Sequence, residues 1–538
     1  MNRMHLSESL WPAQTDEPIW ETTVGGLLRE VAGRDSSAPA LVEVDVEGES
    51  GRRWTYGELL ADSERLAHAL ATRFSPGERI VVWAPNIPEW VLTEYACALA
   101  GIVLVTANPA YQARELRYVL EHSGAVALFL VESYRGNPMA AIAAEAVEGL
   151  AAVREVVDLN DTEALHRHCG SATTALPSVA PGDAAQIQYT SGTTGFPKGA
   201  VLAHRGLVNN ARFYAAGCRT RVDSTWINFM PMFHTTGCAM ITLGALSAGC
   251  RMVLMALFDP ESVARQIERE RVTSVLGVPT MVVGLLEQLE RHPADLSSVE
   301  IVSSGGAMVA PELVRKTREV FGGTFQTVYG QTEFSPLVTQ HRPDDTLEDI
   351  SNTAGQPIPQ TAVSIRDVER NAIVPVGTVG EICVRGCSTM LGYHDDAAAT
   401  RAAIDAEGWL HTGDLGTMDE RGYLRVTGRV KEMIIRGGEN HFPAEIENVL
   451  LEHPAVAEVS VVGLPDEKWG EVIGCFIRSE DDAPLDVEDL RRHCRASLSP
   501  QKTPTVWRRV DEFPLTGSRK IQKFRLREQF LAGEHEAE

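Results

Sequence analysis

The stretch "QYTSGTTGFPKGAV", Gln188 to Val201, sets three glycines, four serine or threonine hydroxyls and one lysine within fourteen positions. Successive backbone N–H groups in a glycine-rich turn make a concave anion site, and short hydroxyls and a lysine add further donors. Gly192 and Gly195 free the backbone angles, Ser191, Thr193 and Thr194 supply the hydroxyls, and Lys198 can neutralise a phosphate or anchor the loop. Two familiar phosphate loops do not fit. A Walker loop needs its lysine directly after the last glycine and a Ser or Thr after that. Here Lys198 lies three residues past Gly195, Pro197 intervenes, and Gly199 takes the hydroxyl position. A dinucleotide turn needs an opening Gly-x-Gly, which is missing.

Outward from this loop, helix and strand patterns alternate. "RWTYGELLADSERLAHALATRF" has apolar residues at helical spacing and leads to the strand-like "ERIVVWAPN". "EYACALAGIVLVTANP" and "ARELRYVLEHSGAVALFLV" repeat the order, helix and then buried strand. Such alternation predicts an α/β fold of mostly parallel sheets with helices on their faces. The small-residue segment "GSATTALPSVAPGDA" leads into the strand "AQIQYT", which the glycine-rich loop follows. At 538 residues the chain exceeds a single compact core. A fresh αβ set begins near "GRVKEMIIRGGENHFPAEIENVLLEHP", so the expected division is a large domain, 1–429, and a small α+β domain, 430–538, joined at 429–431.

The bulk properties exclude several classes. With 44% apolar and 23% charged residues the chain is an ordinary globular one. A net charge of −24 repels nucleic acid and anionic membrane surfaces, so neither is an expected partner. The uncharged run from Tyr95 to Ala113 is broken by Asn108-Pro109 and reads as helix end plus buried strand, not as a membrane span. No secretory or peroxisomal signal is visible, which leads to the expectation of a cytoplasmic protein. Nine scattered cysteines without a CxxC pair suit buried thiols better than disulfides. Cys383 and Cys387 have no His or Cys near them in sequence to complete a zinc pattern, so no metal is expected there.

"YTSGTTGFPKG" resembles the signature of the adenylate-forming enzymes, the superfamily of acyl-CoA synthetases, peptide-synthetase adenylation domains and beetle luciferases. Seven later segments resemble that family's motifs in its order: "PMFHTTG" (231–237), "YGQTE" (329–333), "GEICVRG" (380–386), "GYHDD" (392–396), "GWLHTGD" (408–414), "GRVKEMIIRGGEN" (428–440) and "PLTGSRKIQKFRLRE" (514–528). The resemblance covers about residues 50–530. One match could arise by chance; eight in order do not.

The resemblance implies that a carboxylate is joined to AMP from ATP with release of pyrophosphate, and that the acyl group then passes to a thiol. An anionic nucleophile attacks an anionic phosphate, so cations and oriented donors must offset the repulsion. The implied roles are specific. Thr190 to Gly195 and Lys198 would hold the β- and γ-phosphates. Gly305, Gly306 and Ala307 would let the adenine lie on backbone. Tyr329, Gly330, Gln331 and Thr332 would border the nucleotide, with Thr332 on the α-phosphate and Glu333 on Mg²⁺, a cation that takes hard oxygen ligands. Asp414 would accept from both ribose hydroxyls, with Arg429 assisting. His234 would orient the carboxylate, and the small residues Gly237 and Cys238 would leave room for the acyl group. Lys520 would bridge carboxylate and α-phosphate during adenylation. Arg519 precedes it where the family usually has glycine. Lys431 matches the hinge for a rotation of the small domain between the two steps, and Gly437 and Gly438 would line the passage for CoA.

Peptide-synthetase domains normally place an aspartate near "PMFHTTG" to pair with an α-ammonium group, and none is there. "NPAYQAREL" (108–116) is similar to the fatty and aryl acyl-CoA synthetases. The expected substrate is therefore a hydrophobic monocarboxylic acid, either a medium- to long-chain fatty acid or a bulky polycyclic or aromatic one. An acyl-AMP ligase serving a carrier protein is the alternative, and a non-enzymatic nucleotide-binding relative a third. A homodimer is left open.

Overall fold

A computed structural model describes residues 5–161, 175–190, 197–307, 309–436, 439–466, 468–479, 485–515 and 521–534. The chain divides into two compact units. One comprises Trp11–Val363 and Val384–Leu410; the other comprises Met1–Leu10, Ser364–Cys383 and His411–Glu538.

The larger unit carries two sheets. In the seven-stranded sheet the order is Gly392–Tyr393, Lys198–Ala203, Ala184–Thr190, Val103–Thr106, Arg79–Trp83, Ala127–Leu130 and Glu155–Asp158. Its last five strands run parallel. The three helix-then-strand patterns read from sequence occur here in turn. Helix Tyr56–Ala71 leads to strand Arg79–Trp83, helix Pro88–Ala100 to Val103–Thr106, and helix Ala113–Ser123 to Ala127–Leu130. Local chemistry explains the helix ends. Thr55 and Glu58 form a reciprocal capping box at Tyr56, worth about 1 kcal/mol. Pro88 occupies a first-turn position, and Gly101 closes that helix at φ 68°. Val103–Thr106 and Ala127–Leu130 are buried at every position, as strands covered on both faces must be.

The nine-stranded sheet runs in the order Gln356–Pro357, Leu337–Gln340, Thr324–Gly330, Ile301–Gly305, Ser274–Gly277, Thr225–Asn228, Arg251–Met255, Pro39–Val44 and Ser50–Thr55. Six central strands are parallel, and antiparallel strands close the edges.

The loop that opened the sequence reading does not lead into a helix, as a Walker loop does. Strand Ala184–Thr190 pairs antiparallel with Lys198–Ala203, and Thr190 faces Lys198 in the register. The two strands that flank residues 191–196 are thus the arms of a hairpin.

In the smaller unit, strands Leu410–Met418 and Leu424–Arg429 end a five-stranded sheet. After the turn Val430–Glu432 the chain enters a second sheet, built from Ile434–Arg436, Glu439–His441, Val456–Asp466, Gly470–Ser479 and Val506–Arg509. Helix Pro443–Leu451 and helix Val487–Ser497 bring Ile446, Leu450, Leu490 and Cys494 into its core with Val461, Ile473 and Trp507. Residues on both sides of Lys431 belong to this one unit. Among the described residues no helix is long and apolar enough to cross a membrane.

Candidate active site

In the larger unit, two parallel neighbours end side by side. Strand Ile301–Gly305 pairs with Thr324–Gly330, and Gly305 faces Val328. The turn of Gly305, Gly306 and Ala307 therefore lies next to Tyr329, Gly330 and Gln331, at the carboxyl ends of the strands, where open α/β sheets bind ligands. A Cβ on Gly305 would come within 2.3 Å of the Val328 carbonyl oxygen, and Gly306 has φ 78°. A Cβ on Gly330 would overlap the Pro336 carbonyl, so no side chain fits there either. The turn Thr332–Phe334 follows and carries Glu333.

Glu333 is held by a residue that sequence reasoning did not assign. The Tyr393 hydroxyl donates to Glu333 Oε1 at 2.8 Å, and Lys198 Nζ stands 5.0 Å from the Tyr393 ring centroid. Burial, followed by the charge of Glu333, pushes the phenol well above its ordinary pKa, so it keeps the proton it donates. Tyr393 reaches this position because Gly392–Tyr393 adds to the free edge of Lys198–Ala203, with Tyr393 opposite Ala200. The motif "GYHDD" was visible in the sequence; its pairing with a strand some 190 residues earlier was not. The structure thus joins three of the eight motifs at one point. Ser191, Gly192, Thr193, Thr194 and Gly195 lie outside the described residues. Thr190 sits at the base of the hairpin, its hydroxyl 3.4 Å from the Lys198 carbonyl.

This arrangement fits a magnesium ion. Glu333 offers a hard carboxylate oxygen, linked through Tyr393 to Lys198, and such an oxygen is the donor type Mg²⁺ takes together with phosphate oxygens and water. A test follows directly. Tyr393→Phe removes a hydrogen bond to a charged acceptor, worth about 1.5–3 kcal/mol. The half-saturating Mg²⁺ concentration for acid-dependent ATP–pyrophosphate exchange should rise about tenfold, with most of the rate recovered at high Mg²⁺. A variant slowed equally at every Mg²⁺ concentration would show that Tyr393 does not serve the metal ligand.

His234 precedes a π-helical segment, Thr236–Leu243, a geometry often found at functional sites. Its Nδ1 lies 3.2 Å from the backbone N–H of Thr236, which can only donate. Nδ1 is therefore the acceptor, and the neutral ring carries its proton on Nε2. The segment before it is clamped by buried Asn86, which donates to the Met230 carbonyl and accepts from the Met232 N–H. At Gly237 an added Cβ would approach the Pro231 carbonyl oxygen to 2.3 Å, so the missing side chain lets two stretches of backbone pass closely. Cys238 is fully buried, and burial pushes its thiol far up. Its Sγ accepts from Gln188 at 3.1 Å, Gln188 donates to Gln186, and Gln186 donates to buried Glu94. This polar chain ties the strand under the loop to the π-helical segment. No local pattern in the sequence announces it.

In the smaller unit, Asp414 and Arg429 face each other across the pair Leu410–Met418 and Leu424–Arg429. Arg429 Nε lies 3.0 Å from Asp414 Oδ1; the aspartate side chain is 8% exposed and the arginine 49%. Glu381 sets the turn before Asp414. Its carboxylate accepts from the Gly413 N–H at 3.0 Å and pairs with His411 Nδ1 at 2.8 Å. Gly413 has φ 71°, the left-handed region that favours glycine. The segments "GEICVRG" and "GWLHTGD" are therefore one structural element.

Gly437, Gly438 and Lys520 lie outside the described residues. Lys520 is followed by Ile521, which bridges to Leu515, and Gln522 donates its backbone N–H to the Pro514 carbonyl. Lys523, at the start of helix Lys523–Leu531, is paired with Glu447 at 2.8 Å and Glu432 at 3.1 Å. Burial opposes its charge, but the two carboxylates outweigh that and hold its pKa above the ordinary lysine value. Lys431 lies in the turn Val430–Glu432 beside one of those partners.

The family model described as AMP-binding enzyme matches residues 28–394, and the AMP-binding enzyme C-terminal domain matches 445–520. The chain is 35% identical over 548 residues to the human mitochondrial medium-chain acyl-CoA ligase ACSF2, covering 96% of this chain and 88% of that one. It is 34% identical over 533 residues to 3-[(3aS,4S,7aS)-7a-methyl-1,5-dioxo-octahydro-1H-inden-4-yl]propanoyl:CoA ligase of Rhodococcus jostii, covering 96% and 99%. The solved o-succinylbenzoate coenzyme A synthetase of Bacillus subtilis, in complex with ATP and magnesium ion, superposes with a TM-score of 0.81 at 28% identity, covering 94% and 100%.

Proposed function

The chain belongs to the AMP-binding enzyme family, and from that premise we infer that it is an ATP-dependent acid–CoA ligase that forms AMP and pyrophosphate. The observation that carries this reading is the meeting of Lys198, Tyr393 and Glu333 at the base of the glycine-rich hairpin. It provides the cation and the hard carboxylate that a reaction releasing pyrophosphate needs. Mg²⁺ held by Glu333 would draw charge off the phosphates. Thr332 would hold the α-phosphate, His234 would orient the acid, and the backbone at Gly305 to Ala307 would carry the adenine. Asp414 and Arg429 would take the ribose, and Lys520 would offset the charge developing between carboxylate and α-phosphate. For the second step, CoA would pass along Gly437 and Gly438 after rotation about Lys431, the hinge between the domains 1–429 and 430–538. In support of the hinge, the chain leaves one sheet at Arg429 and enters another at Ile434.

The acid is a hydrophobic monocarboxylate, a medium-chain fatty acid or a fused-ring propanoic acid. The two curated relatives act on these classes.

The test is a panel of straight-chain, aromatic and fused-ring acids, scored for pyrophosphate exchange and for acyl-CoA. Exchange and thioester with a hydrophobic acid is the expected result. Exchange with no thioester on CoA would move the assignment to an acyl-AMP ligase for a carrier protein, and neither activity would refute both. For the hinge, Lys431→Pro should leave exchange within a few-fold of wild type and lower thioester formation by an order of magnitude or more. Equal survival of both half-reactions would remove Lys431 from that role.

A further inference from the structure

Cys383 looked isolated in the sequence, yet the fold gives it two partners. Glu381 and Cys383 alternate on strand Gly380–Gly386, so both side chains leave the same face, and His411 comes from strand Leu410–Met418 of the same sheet. Cys383 Sγ lies 3.4 Å and Glu381 Oε2 2.8 Å from His411 Nδ1. One ligand atom from each residue lies within 4.8 Å of the other two.

We propose that Glu381, Cys383 and His411 form a binding site for a thiophilic divalent cation, Zn²⁺ in chemical character. The Cys383 sulfur and the Glu381 carboxylate both crowd His411 Nδ1, which makes three ligand atoms of mixed N, S and O character at one point. Tetrahedral zinc, at ~2.3 Å from sulfur and ~2.0–2.1 Å from nitrogen and oxygen, holds an N and an S ligand roughly 3.5 Å apart and an N and an O ligand roughly 3.3 Å apart. The nitrogen and sulfur already stand at that spacing. The carboxylate needs to retreat by about half an ångström, within the reach of a glutamate side chain. A thiolate and an imidazole select zinc over magnesium, which separates this site from the hard oxygen donor at Glu333. Cys383 is buried, but the His411 and Glu381 side chains are 21% and 15% exposed, so an ion can approach from solvent.

The test uses the full-length protein stripped of metal by chelation and titrated with Co²⁺ as a spectroscopic probe. The site requires a thiolate-to-cobalt charge-transfer band that saturates at one ion per chain, is bleached by Zn²⁺, and is lost in Cys383→Ser. His411→Gln should alter the d–d spectrum. In the wild-type protein, Zn²⁺ should also protect Cys383 from alkylation, mapped by mass spectrometry, a reading that needs no variant. Absence of the band, its persistence in Cys383→Ser, or alkylation of Cys383 unaffected by Zn²⁺ would each overturn the assignment. None of these readouts depends on the ligase activity.

Discussion

Lys520→Ala is expected to lower acid-dependent ATP–pyrophosphate exchange by roughly 10²–10³-fold, while leaving thioester formation from supplied acyl-AMP within a few-fold of wild type. The asymmetry follows from the charges. In the first step a carboxylate approaches a phosphate that is itself anionic, so a cation between them lowers the barrier more than it strengthens ground-state binding. In the second step the attacking thiol meets an acyl carbon already attached to its leaving group, and no lysine is needed at that point. The neighbouring Arg519 makes a control necessary, because the basic run "RKIQKFRLR" offers other cations. Arg519→Ala should cost exchange only a few-fold. If it matches Lys520→Ala, the wrong basic group has been assigned. Lys523 is no substitute, since Glu432 and Glu447 already hold it. Equal loss of both half-reactions in Lys520→Ala would refute a role confined to adenylation.

What could be read in the sequence was local. Helical spacing and short apolar runs depend on neighbours within a few residues, and the alternation they make led to the parallel sheets. The glycine-rich stretch could be read as a candidate anion loop because glycines and hydroxyls act through the backbone around them. Tyr393 could not be assigned in the same way. Its bond to Glu333 depends on which edge Gly392–Tyr393 joins, and register between distant strands leaves no trace in either segment alone. The same holds for Glu381, whose two partners lie on another strand, and for Gln186 and Gln188, which alternate with Ile187 and look like ordinary strand polars. Gly237 is a milder case. Its smallness suggested room for substrate, and the structure adds a second reason for it in the close approach of the Pro231 carbonyl.

Asp414→Ala should raise KM for ATP by about a hundredfold, with a smaller fall in kcat. A carboxylate accepting from both ribose hydroxyls makes two charge-assisted hydrogen bonds, each worth about 1.5–3 kcal/mol before water replaces them. Retaining roughly half of the total gives the hundredfold figure. The fold around Asp414 supports this use. Its side chain is nearly buried, its carboxylate is paired with Arg429, and the turn before it is fixed by Glu381 and Gly413. Arg429 is half exposed, so Arg429→Ala should have a clearly smaller effect. A purely structural Asp414 could also weaken the enzyme on removal, so nucleotide analogues must decide. Wild-type protein should discriminate strongly against 2′-deoxy- and 3′-deoxy-ATP, and Asp414→Ala should lose most of that discrimination because the hydroxyls no longer have their acceptor. If the variant still distinguishes ATP from its deoxy analogues as the wild type does, the carboxylate is not on the ribose, and the nucleotide must be held elsewhere.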